Sequence, residues 1–174
     1  MQLKYPCLRN IENSKLVVYS DASFKNLPDC GSQGANIILW CDSDGRCAPI
    51  LWQSKKIKRV VKSTIAAECL ALHDGVDNAF YTKTIIQELL KLSVEIDCCV
   101  DNTSLVENVY SSTNVKEDQR LVLDMCALKE MKENEEINSI RWVSKEKQLA
   151  DPMTKAGASS VTLQRVICSG LCVG

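Results

Sequence analysis

The stretch that decides the fold is Val60-Val61-Lys62-Ser63-Thr64-Ile65-Ala66-Ala67-Glu68-Cys69-Leu70-Ala71-Leu72, which predicts the start of a helix. Ser63 and Thr64 are good N-cap residues, because a hydroxyl accepts hydrogen bonds from the unpaired amides of a first turn. Apolar residues three before and four after Glu68 share its helix face. A carboxylate there costs free energy unless it is paired, bound to a metal, or reaches water at the edge of the face.

Length and composition predict one ordinary globular domain. The chain has 174 residues, 45% of them hydrophobic and 25% charged, which is enough for a compact core. A formal net charge of -1 gives no global attraction to polyanions, so nucleic acid would need a local basic patch. No apolar run approaches the ~20 residues that span a bilayer, and we expect no membrane partner. We expect residues 1–14 to be a leader or the tail of an upstream domain, and residues 15–174 to form a single domain.

The ten cysteines show no Cys-x-x-Cys pair, and with one histidine in the chain a Cys/His zinc site has little to draw on. The N-terminus also lacks the apolar run of a signal peptide. We therefore expect free thiols that act as small hydrophobes in a reducing compartment, with a disulfide-built secreted domain as the alternative.

The order of predicted elements indicates an α/β fold. β-branched and aromatic runs predict strands, apolar spacing of three and four predicts helices, and Asp44-Gly45 favours a hairpin. The predicted strands are 16–19, 34–41, 49–53, 94–100 and 140–143; the predicted helices are 63–90 (continuous or restarted), 104–110, 121–131 and 163–167. Three antiparallel strands followed by alternating helices and parallel strands predict a mixed five-stranded sheet flanked by helices.

Four carboxylates stand at positions that this topology brings together. Asp21 and Asp101 follow the first and fourth strands, Asp151 precedes Pro152, and Glu68 lies on the crossover helix. Parallel neighbours place the two strand-end aspartates at the C-terminal edge of the sheet, where sites form. Each aspartate also has a local explanation, as an Asx-turn or as a helix N-cap.

Crowded carboxylates repel one another, and divalent cations remove that repulsion. Mg²⁺ prefers hard oxygen ligands. Two such ions about 4 Å apart can activate a water and stabilise the leaving oxygen of a phosphodiester. The four acids together therefore predict a two-metal hydrolytic site.

Five segments appear in the order and style of a known family: 19–23 (Tyr-Ser-Asp-Ala-Ser), 52–56 (Trp-Gln-Ser-Lys-Lys), 63–72, 100–104 (Val-Asp-Asn-Thr-Ser) and 148–155 (Gln-Leu-Ala-Asp-Pro-Met-Thr-Lys). From about Leu16 to Lys155 the chain resembles the ribonuclease H domain of Ty1/copia-type retrotransposon polyproteins. The resemblance implies a ribonuclease H-like fold and metal-dependent cleavage of the RNA strand of RNA–DNA hybrids during reverse transcription.

The resemblance also implies the ligands and the partners of the site. The catalytic and metal-binding acids would be Asp21, Glu68, Asp101 and Asp151, holding two Mg²⁺ ions with Mn²⁺ as a substitute. A reverse transcriptase domain would belong to the same polyprotein. The location would be the cytoplasm, including a retroelement particle, or the nucleus.

The chain departs from the family at two places. Copia-type domains usually carry Lys-His-Ile-Asp and further histidines before the last strand, where this chain has the histidine-free segment 115–120. Many ribonucleases H use a histidine in the loop before the final acid, where this chain has Ser144-Lys145-Glu146-Lys147. His73 falls five residues after Glu68, off its face, and we expect it to face solvent.

A basic stretch from Lys55 to Lys62 adjoins the predicted site, and either phosphate contact or a solvated loop explains it. Serine and threonine hydroxyls and helix N-terminal amides add phosphate contacts, and groups near Asp21 and Asp101 are placed to meet the 2′-OH. Trp52 has two explanations, stacking on a sugar or base and a place in the core. The candidate nucleic-acid-binding residues are Ala22, Ser23, Ser54, Lys55, Lys56, Lys62, Ser63, Thr64 and Asn102.

Two other functions compete with hybrid hydrolysis. An integrase or transposase shares the fold, but such enzymes typically end their acid set with a helical glutamate and often carry a zinc module. A non-catalytic module, retained from a retroelement for binding or structure, is the other alternative. The full set of four acids argues against it and the absent histidines argue for it.

Overall fold

The computed structural model describes residues 3–111 and 118–172. Its strands are β1 (Lys15–Ser23), β2 (Gln33–Cys41), β3 (Cys47–Lys56), β4 (Glu95–Val100) and β5 (Ser139–Trp142). Its α-helices are α1 (Thr64–Leu90), α2 (Thr103–Tyr110), α3 (Gln119–Glu133), α4 (Asp151–Thr154) and α5 (Val161–Ser169). Short 3₁₀ helices cover Ile11–Asn13 and Lys145–Lys147.

The five strands form one sheet in the order β3-β2-β1-β4-β5. β1 pairs antiparallel with β2, and β2 with β3, whereas β1–β4 and β4–β5 are parallel. The predicted mixed five-stranded sheet is therefore confirmed. The hairpin between β2 and β3 turns at Gly45, whose φ of +79° is a conformation that glycine adopts without strain.

Alternate residues of β1 face two different apolar layers, as the two-residue period of a strand requires. Leu16 and Val18 pack with α1, α2 and α3 on one face of the sheet, and Val17 and Tyr19 pack on the other face with residues that include Val166 of α5. Gly75 lets α1 approach the sheet closely, since a Cβ there would lie 2.8 Å from Val18 Cγ1.

The structure corrects one local expectation and decides an alternative that the sequence left open. β1 does not stop at Ser20-Asp21 but continues to Ser23. Its pairing with β4 extends to Tyr19 and Cys99, whereas its pairing with β2 continues to Ser23 and Gln33. Asp21 therefore lies inside a strand. The helix after Ser63 is one uninterrupted helix of 27 residues. It ends at Lys91, a left-handed residue whose N–H donates to the Gln87 carbonyl.

The described residues before β1 contact the domain. The Lys4 N–H donates to the Ile167 carbonyl at 2.9 Å, and the Arg9 N–H to Asp42 Oδ2 at 2.9 Å. The boundary at residue 15 stays a prediction. Among the described residues, no helix combines the length and apolar character needed to cross a bilayer.

Candidate active site

Asp21 is fully buried in β1 and has two polar neighbours from the far end of the chain. The Thr154 hydroxyl donates to Asp21 Oδ2, and Lys155 Nζ lies 3.1 Å from Oδ1. Burial raises the pKa of Asp21, and the nearby Asp101 adds to this, while the contacts with Thr154 and Lys155 oppose it. The carboxylate therefore depends on neighbouring positive charge to stay ionised.

Glu68 enters the same site from α1 and is only 4% exposed. It accepts a hydrogen bond from the Ala22 backbone, yet its Oε2 is buried without a hydrogen-bond partner among the described residues. Burial, followed by the charges of Asp21 and Asp101, raises the pKa of Glu68 to about 9. An orphaned buried oxygen of this kind fits a group that the site is built to bind.

Asp101 and Asp151 complete the set. Asp101 is the first residue after β4, and burial raises its pKa. The N-cap of α2 is Asn102, whose Oδ1 accepts a hydrogen bond from the Leu105 N–H at 3.0 Å. Asp101 is therefore not the N-cap of this helix. Asp151 is the first residue of α4 and follows Ala150 at the cap position, which makes no side-chain cap bond. The local explanations for these two aspartates therefore fail.

The three aspartates converge although 130 residues separate the first from the last. One carboxylate oxygen each from Asp21, Asp101 and Asp151 lies within 4.8 Å of the other two. Lys155 spans two of them, pairing with Asp21 and Asp151. Hard oxygen donors at this spacing fit divalent cations such as Mg²⁺. Glu68 lies outside this 4.8 Å group but lines the adjoining cleft together with Asp101.

Lys155 supplies positive charge to two of the clustered carboxylates. Burial alone would lower the pKa of Lys155, but its hydrogen bonds and charge interactions with Asp151 and Asp21 outweigh burial and raise it. The ammonium group is therefore charged, and it pairs with two of the carboxylates that a cation would need as ligands.

Hydrogen bonds from distant elements fix the turn that carries Asp151. Buried Gln148 donates to the Ser20 carbonyl at 2.9 Å and accepts from the Ala150 N–H at 3.2 Å. Further side chains donate to the carbonyls of residues 153 and 154: Ser23 and Asn26 to Thr154 at 3.0 Å each, and Gln33 and Ser54 to Met153 at 3.2 and 2.7 Å. Sequence analysis missed these positioning roles of Gln148, Thr154 and Lys155, although all three lie in a segment that it quoted.

The predicted nucleic-acid-binding residues fall into two groups. A cleft of about 550 Å³ beside the acids is lined by Ala22, Ser23, Thr64 and Asn102, together with Lys145 of the loop that lacks the family histidine. The other five lie outside the lining of that cleft. They are Ser54, which donates to Met153; Ser63, the N-cap of α1; and Lys55, Lys56 and Lys62, which pair with Asp74, Asp29 and Asp118.

The positions of His73 and Trp52 test the expectation that His73 faces solvent and decide between the two explanations of Trp52. His73 is half-buried, and its Nε2 lies 2.8 Å from the Asp124 carbonyl, which can only accept; the solvent-facing expectation was wrong. Trp52 is 51% exposed, which excludes the core position. Residues 115–117 of the histidine-free segment lie outside the described residues.

Comparison with solved structures defines the class of fold. The N-terminal ribonuclease H domain of a Mycobacterium tuberculosis protein superimposes with a TM-score of 0.57 at 17% identity, covering 87% of this chain and 98% of that one. LC11-RNase H1, solved in complex with an RNA/DNA hybrid, gives a TM-score of 0.55 at 18% identity, covering 77% of this chain and 88% of that one. The chain therefore has a ribonuclease H-like fold.

Sequence comparison identifies the relatives. No family model matches the chain. The Transposon Ty1-JR2 Gag-Pol polyprotein of Saccharomyces cerevisiae is 30% identical over 146 residues, 82% of this chain. The chain is a ribonuclease H-like domain homologous to Ty1 Gag-Pol polyproteins, which confirms the resemblance found in the sequence. It spans only 8% of the length of that relative.

Proposed function

We propose that this chain is a metal-dependent endonuclease that hydrolyses the RNA strand of RNA–DNA hybrids. The observation that supports this most is the convergence of three aspartate oxygens within 4.8 Å of one another, beside the buried unpartnered oxygen of Glu68. The ribonuclease H-like fold and the Ty1 relatives agree with it. The chemistry of the donors, all carboxylate oxygens, favours a hard divalent cation.

Two Mg²⁺ ions, with Mn²⁺ as a substitute, are the proposed cofactors. Asp21, Asp101 and Asp151 would hold them, with Glu68 as the fourth carboxylate. When bound, the ions supply an activated water and stabilise the leaving oxygen. Without them, Glu68 holds a proton at neutral pH because its pKa is about 9. Loading the site therefore requires that carboxyl group to release its proton and Lys155 to leave Asp21 and Asp151.

The cleft beside the acids is the proposed seat of the hybrid. Thr64 opens α1, so the cleft meets the positive end of a 27-residue helix. Asn102, Ser23 and the backbone near Ala22 supply hydrogen-bonding groups for a 2′-OH, which distinguishes RNA from DNA. Lys145 lines the cleft and brings a positive charge to it, and it is our candidate to replace the absent loop histidine.

Lysines 55, 56 and 62 would act as peripheral phosphate contacts. Each forms an ion pair with an aspartate, and all three side chains are at least 44% exposed. Exposed pairs of this kind contribute little free energy. A phosphate group can therefore replace the aspartate at small cost, and the affinity gained is salt-dependent.

A reverse transcriptase domain in the same polyprotein is the proposed partner, because the relatives are Gag-Pol polyproteins many times longer than this chain. The proposed location is a retroelement particle in the reducing cytoplasm, or the nucleus. All ten cysteines are free thiols in the structure, which is compatible with a reducing compartment.

The decisive experiment is cleavage of an end-labelled RNA–DNA hybrid with Mg²⁺ or Mn²⁺, against duplex RNA and duplex DNA. We expect cleavage of the RNA strand of the hybrid alone, and loss of at least about 100-fold in rate for Asp101→Asn. Asp77→Asn, on the exposed side of α1, is the matched control. Cleavage that persists in Asp101→Asn contradicts the proposal.

The same preparation tests the competing functions. Tight hybrid binding with no cleavage across Mg²⁺ and Mn²⁺ titrations would favour the non-catalytic module. Strand transfer of DNA ends in place of hybrid cleavage would favour the integrase or transposase.

A further inference from the structure

Three cysteines meet on the sheet face opposite α1, and the proposed nuclease activity does not use them. They are Cys41 at the end of β2, Cys47 at the start of β3, and Cys172. Each offers a sulfur atom within 4.8 Å of the other two, and the Sγ atoms of Cys41 and Cys172 are 3.1 Å apart. Cys41 and Cys47 are buried, while Cys172 is half-buried.

Backbone pairing holds these three cysteines together independently of their side chains. Cys41 and Cys47 are direct cross-strand partners at the hairpin end of β2 and β3. The segment after α5 then runs beside that hairpin. Cys47 N–H donates to the Gly170 carbonyl at 2.9 Å, and Cys172 N–H to the Gly45 carbonyl at 2.8 Å. The site is therefore preorganised by the fold.

The backbone of the segment that carries Cys172 is tightly constrained at Gly170. Gly170 ends α5 with a φ of +71°, and a Cβ there would lie 2.8 Å from Cγ of Pro6. The turn into residues 171 and 172 therefore requires glycine. The N-terminal segment that carries Pro6 closes over this turn, which fixes the position of the third thiol.

The three thiol groups are suited to binding a thiophilic cation. Tetrahedral zinc holds thiolate sulfurs about 2.3 Å from the metal, which puts the sulfurs about 3.8 Å from one another. The sulfur–sulfur distances in this cluster, from 3.1 Å up to 4.8 Å, include that value. Soft thiolates select Zn²⁺ or Cu(I) over the hard cations that suit the carboxylate site. Asp42 lies beside the cluster but is already used, accepting from the backbone N–H groups of Arg9, Asp44 and Arg46.

We propose that Cys41, Cys47 and Cys172 form a Zn²⁺ site with solvent in the fourth position. On binding, each thiol releases its proton to solvent and its sulfur lone pair bonds to the metal, with no change in oxidation state. The half-buried Cys172 is the open side of the site. The metal joins residues 170–172 to the β2–β3 hairpin and so stabilises the outer edge of the sheet.

Metal titration of the reduced, desalted chain tests the proposal. Zn²⁺ is titrated against a chromophoric chelator, and Co²⁺ is used as a spectroscopic probe in the presence of excess Mg²⁺. We expect one Zn²⁺ per chain with a Kd below about 1 μM, and an intense thiolate-to-Co²⁺ charge-transfer band. We also expect Zn²⁺ to raise the Tm.

Variants separate this site from the carboxylate cluster. Cys172→Ser should lose the charge-transfer band and weaken Zn²⁺ binding at least about 100-fold, whereas Cys168→Ser, an exposed cysteine of α5, should change neither. Asp101→Asn should keep the band, so the test is independent of the nuclease proposal. Cys47→Ser serves as the second variant if Cys172→Ser fails to fold.

Three results would overturn the zinc proposal. The first is Co²⁺ binding without a thiolate band, and the second is undiminished Zn²⁺ affinity in Cys172→Ser. The third is a Cys41–Cys172 disulfide, mapped by the masses of its peptides, in a chain that binds no Zn²⁺ after the disulfide is reduced. That result would assign the two cysteines to thiol oxidation instead of metal binding.

Discussion

At the scale of the residue, the buried carboxyl groups of the site have an unfavourable electrostatic free energy, which a bound cation would reduce. Glu68 is buried with one oxygen unpartnered and has a pKa of about 9 instead of 4.5. Asp21 and Asp101 are also shifted upward, chiefly by burial. A chain selected only for stability would replace such groups with apolar ones. Their presence at one point therefore indicates function.

Glu68→Gln should change the pH dependence of stability in metal-free buffer. Because folding raises the pKa of Glu68, its protonated form is favoured in the folded state. That contribution is fully present below about pH 4.5 and is lost as pH rises through about 9. Across this window the wild type should lose stability relative to Glu68→Gln, by on the order of 5 kcal/mol, because each tenfold change in proton affinity is worth about 1.4 kcal/mol. Urea unfolding with EDTA at pH 5, 7 and 9 measures it, and parallel curves would contradict it.

Lys155→Met should increase the affinity of the carboxylate site for divalent cations. The ammonium group pairs with Asp21 and Asp151, so it competes with any cation that these aspartates bind. Removing it should tighten Mn²⁺ binding several-fold and lower the metal-free Tm, since the carboxylates then repel unscreened. Calorimetry and Mn²⁺ paramagnetic resonance measure the affinity. Exposed Lys58→Met is the control, and unchanged affinity in Lys155→Met would show that Lys155 does not compete.

At the scale of the element, the four-residue helix α4 is held in place by other parts of the chain. A helix of one turn has no stability of its own. Gln148 and the side chains that donate to Met153 and Thr154 fix it. Sequence alone predicted an acid at this position, but it could not supply these contacts, because each joins residues about 100 or more apart in the chain.

Gln148→Met should impair catalysis more than binding. The change keeps the volume of the side chain but removes the donor to Ser20 and the acceptor for Ala150, so the turn carrying Asp151 loosens. Gln148 does not line the cleft, and we expect kcat to fall about 10-fold or more with KM nearly unchanged. Gln164→Met, an exposed glutamine of α5, is the control. A rise in KM at constant kcat would assign Gln148 to substrate binding instead.

Gly75→Ala should destabilise the interface between α1 and β1, although alanine favours a helix. The added Cβ would lie 2.8 Å from Val18 Cγ1 and 3.3 Å from Asn36 Cβ, which forces the helix away from the sheet. We expect a loss of about 1–3 kcal/mol in urea unfolding. Asp77→Ala, exposed two residues later, should be neutral or slightly stabilising. Equal stability of the two variants would show that the close approach is not needed.

At the scale of the whole molecule, the periodicity of apolar residues and the order of the predicted strands and helices made the fold predictable. The alternation in β1 and the order of elements were enough for the five-stranded sheet, and parallel pairing of β1 with β4 brought Asp21 near Asp101. Three-dimensional partners were not predictable. The ion pairs of Lys55, Lys56 and Lys62, and the meeting of Cys172 with two cysteines of the β2–β3 hairpin, depend on the folded arrangement of distant segments.

Because Asp21, Asp101 and Asp151 are brought together only by folding, Mg²⁺ should bind the folded chain and not the unfolded one. The free energy of unfolding should then rise by about 1.4 kcal/mol per bound ion for each tenfold increase of Mg²⁺ above its Kd. The effect should be larger at pH 8 than at pH 5, since burial raises the pKa of Asp21, Glu68 and Asp101 and protons compete with the metal. Thermal unfolding across a Mg²⁺ series at constant ionic strength measures it. Asp21→Asn with Asp101→Asn should show no such rise, and an equal rise would mean that Mg²⁺ acts elsewhere on the molecule.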